Sequence, residues 1–174
     1  GSSALLVVMA YGSENSREMI ALLLANGANP NLTAEGGTTA LMAASMAHNI
    51  ETTQALIQSA GEKIDVEKGL AFNNVTALGI GCYLGTPGIV AVLAEAGADF
   101  THVTDMGNNK LLDAVSNDAV NEQMLELILE RANAQGAPID VNYRQKPRTT
   151  KWAAIYKGSR TSVLMGASRS DLAM

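Results

Sequence analysis

Apolar residues recur along this chain at the spacing of short amphipathic helices that come in pairs. The clearest pair lies within residues 37–61, where an apolar run over 40–47 is followed by a polar break and a second run over 50–59. Apolar positions three and four residues apart lie on one face of a helix, and Leu41 and Leu56 lead the two stripes. The pattern predicts a helix-turn-helix unit with one buried face.

The unit repeats along the chain. A leucine in the first helix of each unit recurs at steps of 36, 37, 33 and 53 residues: Leu5, Leu41, Leu78, Leu111 and Leu164. A glycine after the second helix recurs at steps of 34, 36 and 39 residues: Gly27, Gly61, Gly97 and Gly136. A single unit cannot bury its apolar face, so stacking of neighbouring units has to supply the core.

The repeated segments resemble ankyrin repeats, whose pattern is G-x-T-P-L-H-x-A-A followed by E-V-V-x-L-L-L-x-x-G-A-D. Residues 37–44 read GTTALMAA, residues 107–114 read GNNKLLDA, and residues 18–29 read EMIALLLANGAN. The resemblance implies an all-α, ankyrin-like helix-turn-helix solenoid of about five units, the last of them truncated. We expect one array over residues 1–174, with units at about 1–36, 37–73, 74–106, 107–159 and 160–174.

The chain departs from the family pattern at two positions of each unit. The usual Pro and His are replaced in three units by Ala40 and Met42, Ala77 and Gly79, and Lys110 and Leu112. Bacterial-type arrays resemble this chain in placing Met or another residue where the His stands. About four extra residues before Gly136 predict a longer second helix, and about twenty residues are inserted after unit four.

Several residues have predicted structural roles. Thr39 and Thr76 are suited to accept hydrogen bonds from the free N–H groups at the start of first helices. The glycines after second helices suit the left-handed conformation that follows a helix. Small residues are expected to let neighbouring first helices approach closely: Ala43, Ala44, Gly79 and Gly81.

The charge of the chain is uneven. The net charge is −5, but residues 144–169 carry seven basic side chains and no acidic one. This asymmetry predicts a local electrostatic feature and argues against a general nucleic-acid-binding protein. No apolar run reaches the length of about 18 residues that a membrane span needs. We expect a soluble piece of a longer protein, and the cytoplasm is the favoured compartment.

The sequence offers no catalytic constellation. His48 and His102 stand alone in loops, and Cys82 occupies a position where the family has Ala. None of the three has further ligands at metal-binding spacing. Asp65 and Asp140 begin segments that resemble loop residues of ankyrin units. We therefore predict no enzyme activity, no metal and no cofactor, and a solvated ridge on the fourth unit at Glu122, Glu126 and Glu130.

Ankyrin-like arrays bind partners through finger loops and the outward residues of first helices. Carried over by position, the contact residues are Tyr11, Glu35, Thr38, Met46, Phe72, Val75, Tyr83, Asp105 and Asn108. Phe72 and Tyr83 are large aromatic residues in a chain that is only 4% aromatic. If they are exposed they indicate a contact patch. The alternative is that a lengthened neighbouring loop covers them.

The inserted loop at 143–160 interleaves basic and aromatic side chains. Its predicted contact residues are Arg144, Lys146, Arg148, Lys151, Trp152 and Tyr156. Such loops form hot spots at protein interfaces, and the same chemistry binds phosphates or stacks on bases. Two structural alternatives are that the loop is a solvated insertion, or that it folds back on the acidic array.

The sequence predicts a non-catalytic protein–protein interaction module or scaffold. One alternative is a structural subunit that cements a larger assembly. Another is the regulatory part of a longer enzyme whose active site lies outside these residues. The predicted partner is another protein, with nucleic acid or an anionic surface as a second possibility at the basic loop.

Overall fold

The computed structural model describes residues 3–117 and 122–145. Within these two segments the chain forms eight α-helices in four consecutive pairs. Their bounds are α1 Ala4–Tyr11, α2 Ser16–Ala25, α3 Ala40–Met46, α4 Ile50–Ala60, α5 Ala77–Tyr83, α6 Pro87–Glu95, α7 Lys110–Val115 and α8 Glu122–Ala134. The all-α, repeated helix-turn-helix architecture is as predicted. The predicted fifth unit, with Leu164, lies outside the described residues.

The helices form two layers. The first helices of successive units pack side by side, α1 on α3, α3 on α5 and α5 on α7. The second helices do the same, α2 on α4, α4 on α6 and α6 on α8. Each helix therefore buries one face against the other helix of its unit and another face against a helix of the neighbouring unit.

Each first helix begins at an equivalent side-chain cap. Thr39 Oγ1 accepts a hydrogen bond from the Met42 N–H at 3.2 Å, and Thr76 Oγ1 accepts one from the Gly79 N–H at 3.3 Å. These two predicted caps are confirmed. Ser3 caps α1 in the same way, and α7 uses Asn109. A capping side chain satisfies a backbone donor that has no partner within the helix.

The repeated leucines form the core. Leu5, Leu41, Leu78 and Leu111 are all buried. Leu56 and Leu93 of the second helices are buried with them, as the apolar periodicity predicts. The longer second helix expected in unit four is also present, because α8 has 13 residues whereas α6 has 9. Glu122, Glu126 and Glu130 lie exposed on α8.

The two small residues of α5 face different neighbours. A Cβ placed on Gly79 would lie 3.2 Å from Asp113 Oδ2, so Gly79 does allow the neighbouring first helix to approach. A Cβ on Gly81 would instead meet Ile89 Cγ2 at 3.2 Å. The prediction that Gly81 serves contacts between first helices is therefore wrong, since it packs against the second helix of its own unit.

The second helices end at the predicted glycines. Gly27, Gly61, Gly97 and Gly136 all have positive φ angles, of 85°, 54°, 83° and 70°. After Gly97 the chain turns so that the Ala98 N–H donates to the Leu93 carbonyl at 3.0 Å, which satisfies a carbonyl at the end of α6.

Each unit then continues into a loop that begins with an acidic or amide side chain. Asp65 Oδ1 accepts from the Glu67 N–H at 3.1 Å, and Asp140 Oδ1 accepts from the Asn142 N–H at 2.8 Å. Each carboxylate thus closes a short turn by accepting from the backbone N–H two residues later. This confirms the loop-forming role that the resemblance implies. Successive loops are also joined, for example by the Asp99 N–H, which donates to Glu67 Oε1 at 2.8 Å.

Candidate functional site

Three of the predicted contact residues stand at the ends of first helices. Tyr11, Met46 and Tyr83 are the last residues of α1, α3 and α5. All three are exposed, Tyr11 with 86% and Tyr83 with 49% of its surface accessible. Because α1, α3 and α5 pack side by side, the three apolar side chains follow one edge of the first-helix layer. We refer to Tyr11, Met46 and Tyr83 as the helix-end row.

Each finger loop joins the second helix of one unit to the first helix of the next unit. Three other predicted contact residues stand at the tips of these loops. Glu35 and Phe72 are exposed, Phe72 with 58% of its surface accessible, and Asp105 is half-buried. Backbone hydrogen bonds hold the three tips together. The Ala71 N–H donates to the Gly36 carbonyl at 3.0 Å, and the Asp105 N–H donates to the Asn73 carbonyl at 2.9 Å. We refer to Glu35, Phe72 and Asp105 as the finger-tip row.

The conformation of the tips depends on residues with positive φ. Gly36 and Gly37 have φ angles of 79° and 88°, and a Cβ on Gly37 would lie 2.6 Å from the Ala71 backbone nitrogen. Asn74 also has a positive φ, of 57°, and its carbonyl lies 2.8 Å from Nε2 of His102. Phe72 therefore stands on a loop fixed by contacts to the loops on both sides, and among residues 3–117 and 122–145 its side chain is left exposed.

The two rows lie at opposite ends of the first helices. Each finger loop leads into the start of a first helix, and the helix-end row lies where those helices stop. A seven-residue helix such as α5, about 10 Å long, lies between the two rows. The sequence prediction did not distinguish the two rows. One row is apolar, and the other places an aromatic ring between two carboxylates.

The remaining predicted contact residues divide into three groups. Arg144 is exposed. Thr38 and Val75 are half-buried. Asn108 makes a hydrogen bond within the array, because its Nδ2 donates to Asp113 Oδ1 at 3.1 Å. The other loop residues, Lys146, Arg148, Lys151, Trp152 and Tyr156, lie outside the described residues.

Sequence reasoning missed a buried pair of charged residues. Lys110 and Asp113 lie on α7, and both are buried. Lys110 Nζ donates to the His102 carbonyl at 3.3 Å. Burial raises the pKa of the Asp113 carboxyl above 3.8, an effect that the Lys110 charge and the Asn108 hydrogen bond offset only in part. Lys110 stands where the family has Pro, and this departure was the one signal of the pair in the sequence.

Cys82 is buried, as its position predicts. Burial raises the pKa of its thiol from 9.0 to about 12. A thiol with this pKa is almost wholly protonated at neutral pH, and the thiolate is the nucleophilic form. Cys82 therefore acts as a small apolar residue of α5 in the folded chain.

Two further observations bear on the class of protein. Among residues 3–117 and 122–145, no group of three or more His, Cys, Asp or Glu side chains is placed to hold a metal ion. Over the same residues, no helix has both the length and the apolar character that crossing a bilayer requires.

These helix pairs, joined by linked finger loops and stacked through shared apolar faces, define a helical repeat protein. The family model described as ankyrin repeats (3 copies) matches residues 6–104. The chain therefore belongs to the ankyrin repeat family. Ankyrin repeats are generally modules for protein–protein interaction, and they are non-catalytic.

A curated relative is the E3 ubiquitin-protein ligase KEG of Arabidopsis thaliana. It is 28% identical over 129 residues, a match that covers 74% of this chain. The match covers only 8% of the length of the ligase. The similarity therefore concerns a small part of that protein.

Proposed function

We propose that this chain is a protein-binding module or scaffold that contacts its partner through the helix-end row and the finger-tip row. The observation that carries the proposal is the exposure of large apolar side chains at adjacent, equivalent positions. Met46 and Tyr83 are each five residues beyond the repeated leucine of their unit, and both are exposed although the helices that carry them are otherwise mostly buried. Aromatic side chains at such sites contribute disproportionately to binding.

The finger-tip row supplies a second kind of contact. Phe72 stands between finger tips that carry Glu35 and Asp105, and backbone hydrogen bonds fix the three loops relative to one another. A rigid loop loses little conformational entropy on binding, so more of the contact energy is retained as affinity. The basic and aromatic residues from Arg144 to Tyr156 are proposed to add contacts to a protein partner.

The test is a binding measurement with matched variants. Immobilised chain is incubated with an extract of the native source, and retained proteins are identified and then purified for titration. We expect Phe72→Ala together with Tyr83→Ala to weaken binding of a purified partner by about tenfold or more, since each truncation removes a contact of about 1–2 kcal/mol. Val141→Ala is the control, because Val141 is an exposed apolar residue outside both rows. Equal binding by both variants and the wild type would contradict the proposal.

A second candidate function rests on the relative. The chain resembles a small part of a much longer ubiquitin ligase, so it is also suited to be the regulatory part of a longer enzyme. In that case its partner is either another segment of the same polypeptide or the protein on which the enzyme acts. The two cases are distinguished by adding the chain in trans to the full-length protein and measuring activity with and without the Phe72→Ala and Tyr83→Ala substitutions.

A further inference from the structure

The first unit exposes an apolar face on the side that points away from unit two. Val7 on α1 and Leu22 on α2 are 44% and 65% accessible. Met19 on α2 and Leu32 in the following loop are exposed as well. We refer to Val7, Met19, Leu22 and Leu32 as the N-terminal face. Isolated exposed apolar residues are common, but four that share one side of a unit call for an explanation.

The internal repeat shows that the equivalent positions in unit three are buried. Val7 lies two residues after the repeated leucine, where unit three has Ile80. Leu22 lies five residues before the glycine that follows the second helix, where unit three has Val92. Ile80 and Val92 are only 7% and 8% accessible. The equivalent of Met19 in unit three is Ile89, and it is fully buried.

Unit two packs against the side of unit three that corresponds to the N-terminal face of unit one. Helix α3 packs against α5, and α4 packs against α6. A Cβ placed on Gly88 would collide with the Ile50 side chain of α4, so the two second helices are in close contact. The loop position is covered too, because His102, the equivalent of Leu32, lies with Nε2 2.8 Å from the Asn74 carbonyl of the preceding loop.

The side chains of the N-terminal face match an internal unit and not an end of an array. Solvent-facing ends of repeat arrays carry polar residues on their outer face, since stacking no longer buries it. Unit one instead has Val, Met and Leu where unit three has Ile, Ile and Val. Both sets are large and apolar.

We propose that the N-terminal face is an interface between repeat units, and that its occupant is a further ankyrin-type helix pair that precedes residue 3 in the same polypeptide. This occupant packs on unit one as unit two packs on unit three. The inference rests on the burial contrast between units one and three and does not depend on the proposed binding function.

The test supplies such an occupant from the chain itself. Residues 37–73 are duplicated directly ahead of residue 1, so that their second copy meets unit one with the spacing that unit two has to unit three. This junction places Ser3 at the cap position of Thr76 and Gly1 at the position of Asn74, whose φ is 57°. A Gly/Ser-rich extension of the same length is the control.

Hydrogen exchange and matched substitutions give the readout. We expect amide exchange in α1 and α2 to slow by about tenfold or more in the unit extension and to be unchanged in the Gly/Ser extension. Leu22→Gln is expected to leave the unfolding midpoint of the 174-residue chain almost unchanged. In the unit extension it should lower the midpoint by as much as Val92→Gln does.

Three results would overturn the proposal. One is equal exchange in the two extended proteins. Another is a duplicated unit that gains no helix content on a chain that is otherwise folded. The third is a 174-residue chain that dimerises in a concentration-dependent way and returns to a monomer with Leu22→Gln, because the occupant would then be a second copy of the chain.

Discussion

Lys110 and Asp113 lie three residues apart on α7, and both charged side chains are buried against Gly79 of α5. A Cβ on Gly79 would lie 3.2 Å from Asp113 Oδ2 and 3.6 Å from Lys110 Nζ. Gly79 stands where the family usually has His, and Lys110 stands where it usually has Pro. The two departures from the family pattern in neighbouring units are therefore spatially linked, since the missing side chain leaves room for the pair.

The first prediction concerns this pair. Lys110→Met removes the positive charge that attracts the buried carboxylate, and within the described part of the chain Asp113 Oδ2 has no hydrogen-bond donor beside it. We expect the single substitution to lower the free energy of unfolding by about 1–3 kcal/mol, because the buried His102 carbonyl contact loses its charged donor and Asp113 loses a neighbouring positive charge. Lys110→Met with Asp113→Leu should recover most of this loss. Urea denaturation of the two single variants and the double variant measures the coupling, and strictly additive effects would contradict it.

The second prediction is a pH dependence due to Asp113. Burial raises the pKa of its carboxyl in the folded chain, with Lys110, Asn108 and His102 opposing that shift. Between 3.8 and the raised pKa, the folded chain binds a proton that the unfolded chain has lost, so stability falls as the pH rises through this window. Asp113→Asn removes the titration.

The measurement is the unfolding free energy of the wild type and of Asp113→Asn at steps from about pH 3.5 to 7. We expect the wild type to lose stability relative to the variant as the pH rises, and the difference to level off outside the window. Asp105→Asn is the control for loss of one negative charge near the same loops. A difference that is constant with pH, or that changes in the opposite sense, would refute the assignment.

The third prediction separates two reasons for glycine in the first finger loop, a positive φ angle and the close approach of the next loop. Gly36 and Gly37 both have positive φ, but space beside Gly36 is open whereas a Cβ on Gly37 would collide with the Ala71 backbone. Gly36→Ala should therefore cost only the backbone strain of about 1–2 kcal/mol. Gly37→Ala should cost about 1–3 kcal/mol more, because the second loop has to shift. Thermal unfolding of both variants tests this, and equal midpoints would show that the loops are not in close contact.

The fourth prediction concerns Cys82. Because burial raises the pKa of this thiol to about 12, we expect it to resist alkylation by iodoacetamide at pH 8 in the folded chain. In urea above the unfolding midpoint it should react at the rate of a free cysteine. Labelling followed by mass spectrometry distinguishes the two states. Rapid labelling of the folded chain would mean that α5 is accessible to solvent at this position.

Much of the fold could be predicted from the sequence because the same constraints recur in every unit. The repeated leucines, the Thr39 and Thr76 caps and the glycines after second helices each act through local geometry. The sequence left open whether Phe72 and Tyr83 are exposed or covered, and the structure shows both side chains exposed.

The features that escaped prediction depend on which elements pack against one another. The burial of Lys110 and Asp113 requires the space beside Gly79, which lies on a different helix. Gly81 was assigned to the wrong neighbour because periodicity gives the face of a helix and not the element that packs against it. The hydrogen bonds that join the finger tips involve backbone groups, which leave no mark on the residue types.

A decisive measurement compares the same substitution at two positions of α5. Leu78 is fully buried, and Tyr83, five residues later, is half accessible and belongs to the proposed binding surface. We predict that Leu78→Asp abolishes the helical circular dichroism signal, because a buried unpaired charge is costly. Tyr83→Asp should retain the signal with a loss of stability below about 1 kcal/mol. Unfolding by Tyr83→Asp, or tolerance of Leu78→Asp, would contradict the account.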